Sequence, residues 1–159
     1  MYLVMAVLLV VAIGSKININ LDEIYSYGLA NYTKGLNLTV MENVKYEPAS
    51  SAYMEYVTAT DRFNYKNVWQ NQANDVHPPL YYTIVHTICS LMPGTFSFWY
   101  AGVINIFFSL CTLFFVQRLA YILGGKNKNV MVAVSAAFVF CFGVIYANGF
   151  LRMYIMAMC

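Results

Sequence analysis

Apolar and polar positions divide the chain into four long apolar runs and one broad hydrophilic stretch. Met1 to Ile19 carries no charge before Lys16, and only Ser15, Lys16 and Asn18 interrupt it. Residues 20–77 are hydrophilic and contain all the acidic residues of the chain. "PPLYYTIVHTICSLM", 78–92, is apolar again but falls short of the roughly 20 residues that a membrane span requires. "FSFWYAGVINIFFSLCTLFFVQ", 96–117, is long enough to cross, with Asn105 as its one strongly polar position. Residues 118–129 hold Arg118, Lys126 and Lys128, 130–147 is apolar, and a further apolar run opens at 152–159. This pattern predicts an all-α integral membrane protein with several transmembrane helices. The expected path is a first transmembrane helix at 1–19, an extracytoplasmic loop at 20–77 and an interfacial or re-entrant helix at 78–92. A transmembrane helix at 96–117, a cytoplasmic loop at 118–129, another transmembrane helix at 130–147 and the start of a truncated span at 152–159 follow.

The first run also has the small-x-small pattern of a signal-peptide cleavage site at Ala12-Ile13-Gly14, but it lacks a basic n-region, which favours an uncleaved helix. Within the hydrophilic stretch, Asp22 is expected to cap a helix through "EIYSYGLANYT" that ends at Lys34-Gly35. A second helix is expected from about Ala59 to Gln72, its aromatic and aliphatic positions suited to a membrane interface. "NLTVMENVKY" between them reads as extended or irregular. Asn31-Tyr-Thr and Asn37-Leu-Thr match the short glycan-acceptor pattern and are read as chance matches. The last apolar run is shorter than a span, so the 159 residues are expected to be the amino-terminal part of a longer protein.

Composition strengthens the membrane assignment. The chain is 60% hydrophobic and 10% charged, against about 45–50% and about 25% in soluble domains. A net charge of +2, with no basic run to follow a phosphate backbone, excludes nucleic-acid binding. Cys89, Cys111, Cys141 and Cys159 stand singly in apolar segments, without metal-ligand spacing, and read as small hydrophobes. Three basic residues in a short loop place 118–129 in the cytoplasm. If 78–92 does not span, residues 20–77 then lie outside, and Asp22, Glu23, Asp75, His77 and Arg152 share one side of the membrane near helix ends.

An acidic pair directly after the first apolar run ("NLDEIYSYGLAN"), "DVHPPLYYTIVHTI" at the end of the hydrophilic stretch and "RMY" opening a later apolar run together resemble the GT-C membrane glycosyltransferases. The closest likeness is to the group of protein O-mannosyltransferases, lipid A aminoarabinose transferases and the RgtA/B/C/D-like enzymes. The resemblance covers essentially the whole chain, and the HPPLYY stretch is its most specific element. It implies transfer of a sugar from a polyprenyl-phosphate donor to a glycan, lipid or protein acceptor at the outer face of the cell membrane, in the cell envelope.

The implied roles follow the chemistry. A hydroxyl is a poor nucleophile near neutral pH, and a carboxylate in hydrogen-bond reach accelerates its attack by about 10²- to 10⁴-fold. Asp22 matches the family's catalytic acid position and is the expected general base, with Glu23 beside it. Arg152 is the expected contact to the donor phosphate, through planar bidentate hydrogen bonds, and Tyr154 its support. Pro78 and Pro79 make the chain arrive extended and turn into a helix, which orients Asp75 and His77. His77 is read as a contact to donor phosphate or acceptor, or as a partner to a carboxylate in holding a divalent cation. No metal site is assigned, and His86 lacks the i, i+4 spacing of a metal pair. Tyr81 and Tyr82 are read as lining the donor groove or as interfacial anchors. Two positions depart from the family pattern: Phe150 stands where relatives carry an acid two places before the arginine, and "FSFWYAGVIN" lacks an early arginine. The competing readings are a transporter-like membrane protein, which predicts charges or breaks within the spans, and an inactive truncated fragment.

Overall fold

The computed structural model of the chain describes residues 1–34 and 51–159. Among these residues the secondary structure is helical throughout. In chain order the helices are α1 (Tyr2–Gly14), α2 (Leu21–Asn31), α3 (Ser51–Val57), α4 (Tyr65–Ala73), α5 (Pro79–Leu91), α6 (Phe98–Leu123), α7 (Lys128–Val139), α8 (Phe142–Gly149) and α9 (Tyr154–Met158). They form two compact units: an apolar unit of Met1–Asn18 with Ala101–Cys159, and a polar unit of Ile19–Tyr100.

In the apolar unit, α1 buries Met5, Leu9 and Ile13, one position per helical turn. Met5 and Leu9 pack with Leu113 of α6 and Val139 of α7. Ile13 presses on Gly102, where an added Cβ would lie 3.0 Å from the isoleucine Cγ2. Small residues at such contacts let helices approach closely. At the other end of α1 the Tyr2 hydroxyl donates to Gln117 Oε1 at 2.7 Å, so α1 and α6 run antiparallel. α1 is 13 residues long, about 20 Å at 1.5 Å per residue, and ends five residues before the expected boundary at Ile19. Ser15 turns its hydroxyl back onto Ala12 O at 3.1 Å, and the polar residues from Ser15 to Asn20 supply no continuing apolar face.

Helix α6 extends past the expected limit at Gln117 to Leu123, because Leu119 to Leu123 contain no breaker. It ends at Gly124-Gly125, with Gly125 and Lys126 at φ of 65° and 62° and the Lys126 amide donating to Tyr121 O at 2.8 Å, a left-handed helix end of the kind glycine permits. The basic loop thereby shortens and Arg118 moves into the helix, its guanidinium 5.8 Å from the Phe114 ring centroid. The expected single span at 130–147 is two helices, α7 and α8, bent by 48°. The break lies at Phe140-Cys141, and Ser135 Oγ bonds back to Met131 O one turn before the end of α7. By length and apolarity, one helix among the described residues, α6, suffices to cross a membrane, or two if the bent pair counts as one span.

In the polar unit, α2 packs on α3, α4 and α5. Ile24, Tyr27, Val57, Val68, Tyr81, Tyr82 and Val85 are buried. Gly28 is required by contact: a Cβ there would lie 2.0 Å from the Tyr56 ring. Helix α2 stops at Asn31, earlier than the expected Lys34-Gly35. Asn71 Nδ2 takes Leu29 O and Tyr32 O at 3.1 and 2.9 Å, and Asn67 Nδ2 takes Tyr32 O at 2.7 Å. These long-range amides satisfy carbonyls that helix ends leave open. Helix α4 begins at Tyr65 rather than near Ala59. Asn64 caps it, accepting from the Asn67 amide at 3.0 Å, and Phe63 before the cap has φ 57°, which no helix accommodates. The "NLTVMENVKY" segment and the Asn37 sequon lie outside the described residues.

Candidate functional site

Helix α2 opens with a capping box. Asn20 is the cap: its side chain accepts from the first-turn backbone, and Glu23 Oε2 reaches back to the Asn20 amide at 2.6 Å. This corrects two expectations. Asp22 is not the cap; it stands at the second helical position, half-buried, with its carboxylate outside the box. Glu23, expected beside Asp22 as a catalytic acid, is fully buried and its carboxylate serves the cap. Both acids lie in the first turn, where the helix dipole favours negative charge.

The two prolines act as their chemistry dictates. Pro78 is extended, with φ −62° and ψ 140°, and Pro79 opens α5. Just before them, His77 Nδ1 and Asp75 Oδ2 lie 2.7 Å apart. A carboxylate accepts from Nδ1–H of a neutral imidazole, which orients the ring and leaves Nε2 as a lone pair. The pair is partly exposed and can contact a polar ligand at Nε2. Among the described residues no three His, Cys, Asp or Glu side chains gather in a way that could hold a metal ion.

Tyr81 and Tyr82 correct a further expectation. Both are fully buried, their rings meeting edge to face at 5.6 Å, with the Tyr82 ring 6.4 Å from that of His77. They are core residues, Tyr82 backing His77 and Tyr81 backing Tyr82, and with no exposed surface they are neither walls of an open groove nor interfacial anchors. His86, discounted for metal binding, joins α5 to α2: its Nδ1 lies 3.1 Å from Asn31 Oδ1. Asn31 Nδ2 is committed to Val57 O at 2.8 Å, so His86 Nδ1 carries the proton. Burial lowers the His86 pKa, opposed by the Ala30 carbonyl and the Asp61 charge. Asn31 is fully buried by these bonds, so its sequon offers no accessible acceptor nitrogen. Burial likewise pushes the Cys89 thiol up to about 11, in keeping with its reading as a small hydrophobe.

In the apolar unit, Arg152 is 8% exposed and its guanidinium carbon sits 5.4 Å from the Tyr154 ring centroid, within cation–π range. Phe150, at the position where an acid was expected, stacks on Tyr154 at 6.3 Å. The backbone here is tied to α6: Asn105 Nδ2 donates to Asn148 O and Phe150 O at 3.1 and 3.0 Å, and Ser109 Oγ donates to Asn148 Oδ1. Sequence reading noted Asn105 but missed Asn148 and Ser109, whose only signal was polarity within apolar runs. The structure thus pairs Asp75 with His77 and Arg152 with Tyr154, and it separates the roles of the adjacent Asp22 and Glu23. Comparison of the chain with protein-family models, with curated proteins and with solved structures finds no match.

Proposed function

We propose that the chain belongs to a membrane glycosyltransferase of the GT-C kind, which moves a sugar from a polyprenyl-phosphate donor to an acceptor on the extracytoplasmic face. In this reading α6 and the bent pair α7–α8 cross the cell membrane, α1 packs against them, and the polar unit stands outside. Only 22% of the most apolar window of α6 is buried, whereas the central helix of a water-soluble domain is mostly buried; the exposed apolar surface suits lipid. One observation carries the catalytic part: the Asn20–Glu23 box removes the plain capping explanation for Asp22. A carboxylate at that position, directly after the first apolar helix, is the group that would take the acceptor proton. His77, oriented by Asp75, is the polar contact for substrate, and Arg152, held over Tyr154, is the contact for the donor phosphate.

The test is sugar transfer by membranes expressing the natural reading frame, supplied with radiolabelled polyprenyl-phosphate sugars, with Asp22→Asn as the variant. The amide keeps the shape and cannot accept the proton, so transfer falls by about 10²- to 10⁴-fold while insertion is unchanged. Equal transfer by both removes Asp22 from the chemistry. A transporter-like role is the second reading, favoured by the 48° break between α7 and α8 and by Asn105, Ser109 and Asn148 buried beside it, since broken spans with inward polar groups mark translocation sites. It stands if no donor supports transfer and the same lipid-linked sugars cross vesicle membranes in a manner that Asn148→Leu abolishes.

A further inference from the structure

Along α4, where Asn67 and Asn71 reach toward α2, the polar unit holds an open cleft of about 390 Å³ lined by Thr33, Asn67, Gln70, Asn71, Ala73 and Asn74. Its size falls in the range of small-ligand sites, but its lining is unlike the usual apolar pocket. Four residues with carboxamides and one with a hydroxyl line it, none of the lining residues is charged, and polar and apolar atoms share its surface about equally.

The carboxamides are oriented in advance. Asn71 and Asn67 are 3% and 9% exposed, and their nitrogens are committed to the carbonyls of Leu29 and Tyr32. With the nitrogen committed, the group each of these amides has left to offer is its acceptor oxygen, so a hydroxyl donor is the partner they would take. Asn74 does the same: its Nδ2 donates to Gln70 O at 3.0 Å. Gln70 is exposed and can donate or accept. A row of fixed acceptors without charge fits a ligand that carries many hydroxyl donors and no net charge. A phosphate would find no cation among the lining residues, whereas a ring that carries both hydroxyls and C–H surface matches a lining of mixed polarity. Trp69, four residues before Ala73 and therefore its neighbour on the helix surface, is 60% exposed. A flat aromatic face beside hydroxyl-binding amides is the complement of a sugar ring, with its equatorial hydroxyls and axial C–H bonds.

We infer that this cleft is a saccharide subsite. Only the ligand's role as the acceptor's sugar rests on the transferase reading; the ligand class rests on the lining. The chain has two tryptophans, so Trp99→Phe leaves Trp69 as the sole tryptophan, excited selectively over the tyrosines, in the full chain reconstituted in lipid nanodiscs. The probes are the methyl glycosides of mannose, glucose, galactose, N-acetylglucosamine and arabinose, with saturation-transfer NMR on the same samples as a second measurement. At least one glycoside is expected to change Trp69 emission saturably and to receive saturation from the protein. Gln70→Ala with Asn74→Ala weakens that binding about tenfold, the loss of one or two hydrogen bonds, and Asp22→Asn leaves it intact. Where the double variant lowers the melting temperature, Gln70→Ala alone, a change at an exposed side chain, replaces it. No response by either method from any glycoside overturns the inference, as does binding that the variants leave unchanged, which places the sugar elsewhere. Binding without transfer leaves the cleft standing while the transferase reading fails; transfer without binding does the reverse.

Discussion

Asn20 and Asp22 are two residues apart, both have cap-competent side chains, and only one of them caps. The tetrapeptide Asn20-Leu21-Asp22-Glu23 contains the capping-box pattern, a small polar residue followed three places later by glutamate. Asp22 is nevertheless an equally good cap by residue type, and backbone geometry decides: Asn20 is extended at φ −82° and ψ 153°, while Asp22 is already helical. Asn20→Ala is expected to destabilise the polar unit by about 1 kcal/mol, a larger loss than Asp22→Ala produces. Thermal unfolding followed by circular dichroism in detergent checks both. A larger loss at Asp22 than at Asn20 would restore the capping role to Asp22 and weaken its claim as a base.

At the scale of elements, the junction of α2, α4 and α5 is held by buried amides and by His86. Its Nδ1–H is used on Asn31, and Nε2 is buried without a hydrogen-bond partner. Protonation would place a charge in that site. The folded-state pKa is therefore below the unfolded value of about 6.5. Between those two values the unfolded chain binds more protons, so the contribution of His86 is fully present above about pH 6.5 and is lost as pH falls toward the folded value. The midpoint of thermal unfolding is expected to drop from pH 7.5 to pH 5, with a smaller drop in His86→Gln. An equal drop in both would assign the pH dependence to other groups. The junction was hidden in the sequence because its partners lie 26 to 55 residues apart. Asn67 and Asn71 interrupt what local pattern reads as an ordinary amphipathic helix.

For the whole molecule, the proposed topology makes a directional prediction. With the native cysteines replaced by alanine, a cysteine at Gln70 is expected to react with a membrane-impermeant maleimide in intact cells. One at Lys128 is expected to react only after permeabilisation. The reverse pattern would invert the chain and put Asp22 on the cytoplasmic face, where extracytoplasmic transfer has no place for it. Arg118, Lys126 and Lys128 lie at the C-terminal end of α6, in the short loop after it and at the start of α7.

Helical content and the order of the major apolar helices were decided by sequence alone, because a long apolar run can satisfy its backbone polar groups within a helix and because Pro79 and Gly124-Gly125 act on their own neighbourhoods. Tertiary structure alone decided where α2 ends, where the 130–147 run breaks, that Tyr81 and Tyr82 belong to the core, and which acid serves the helix cap. Each of these depends on a partner distant in the chain or on one backbone dihedral among several that the same residues tolerate. Local preferences amount to tenths of a kcal/mol up to about 1 kcal/mol per residue. A buried amide left unpaired costs about 1–3 kcal/mol, so the long-range bonds of Asn31, Asn67, Asn71 and Asn148 outweigh local preference wherever the two disagree.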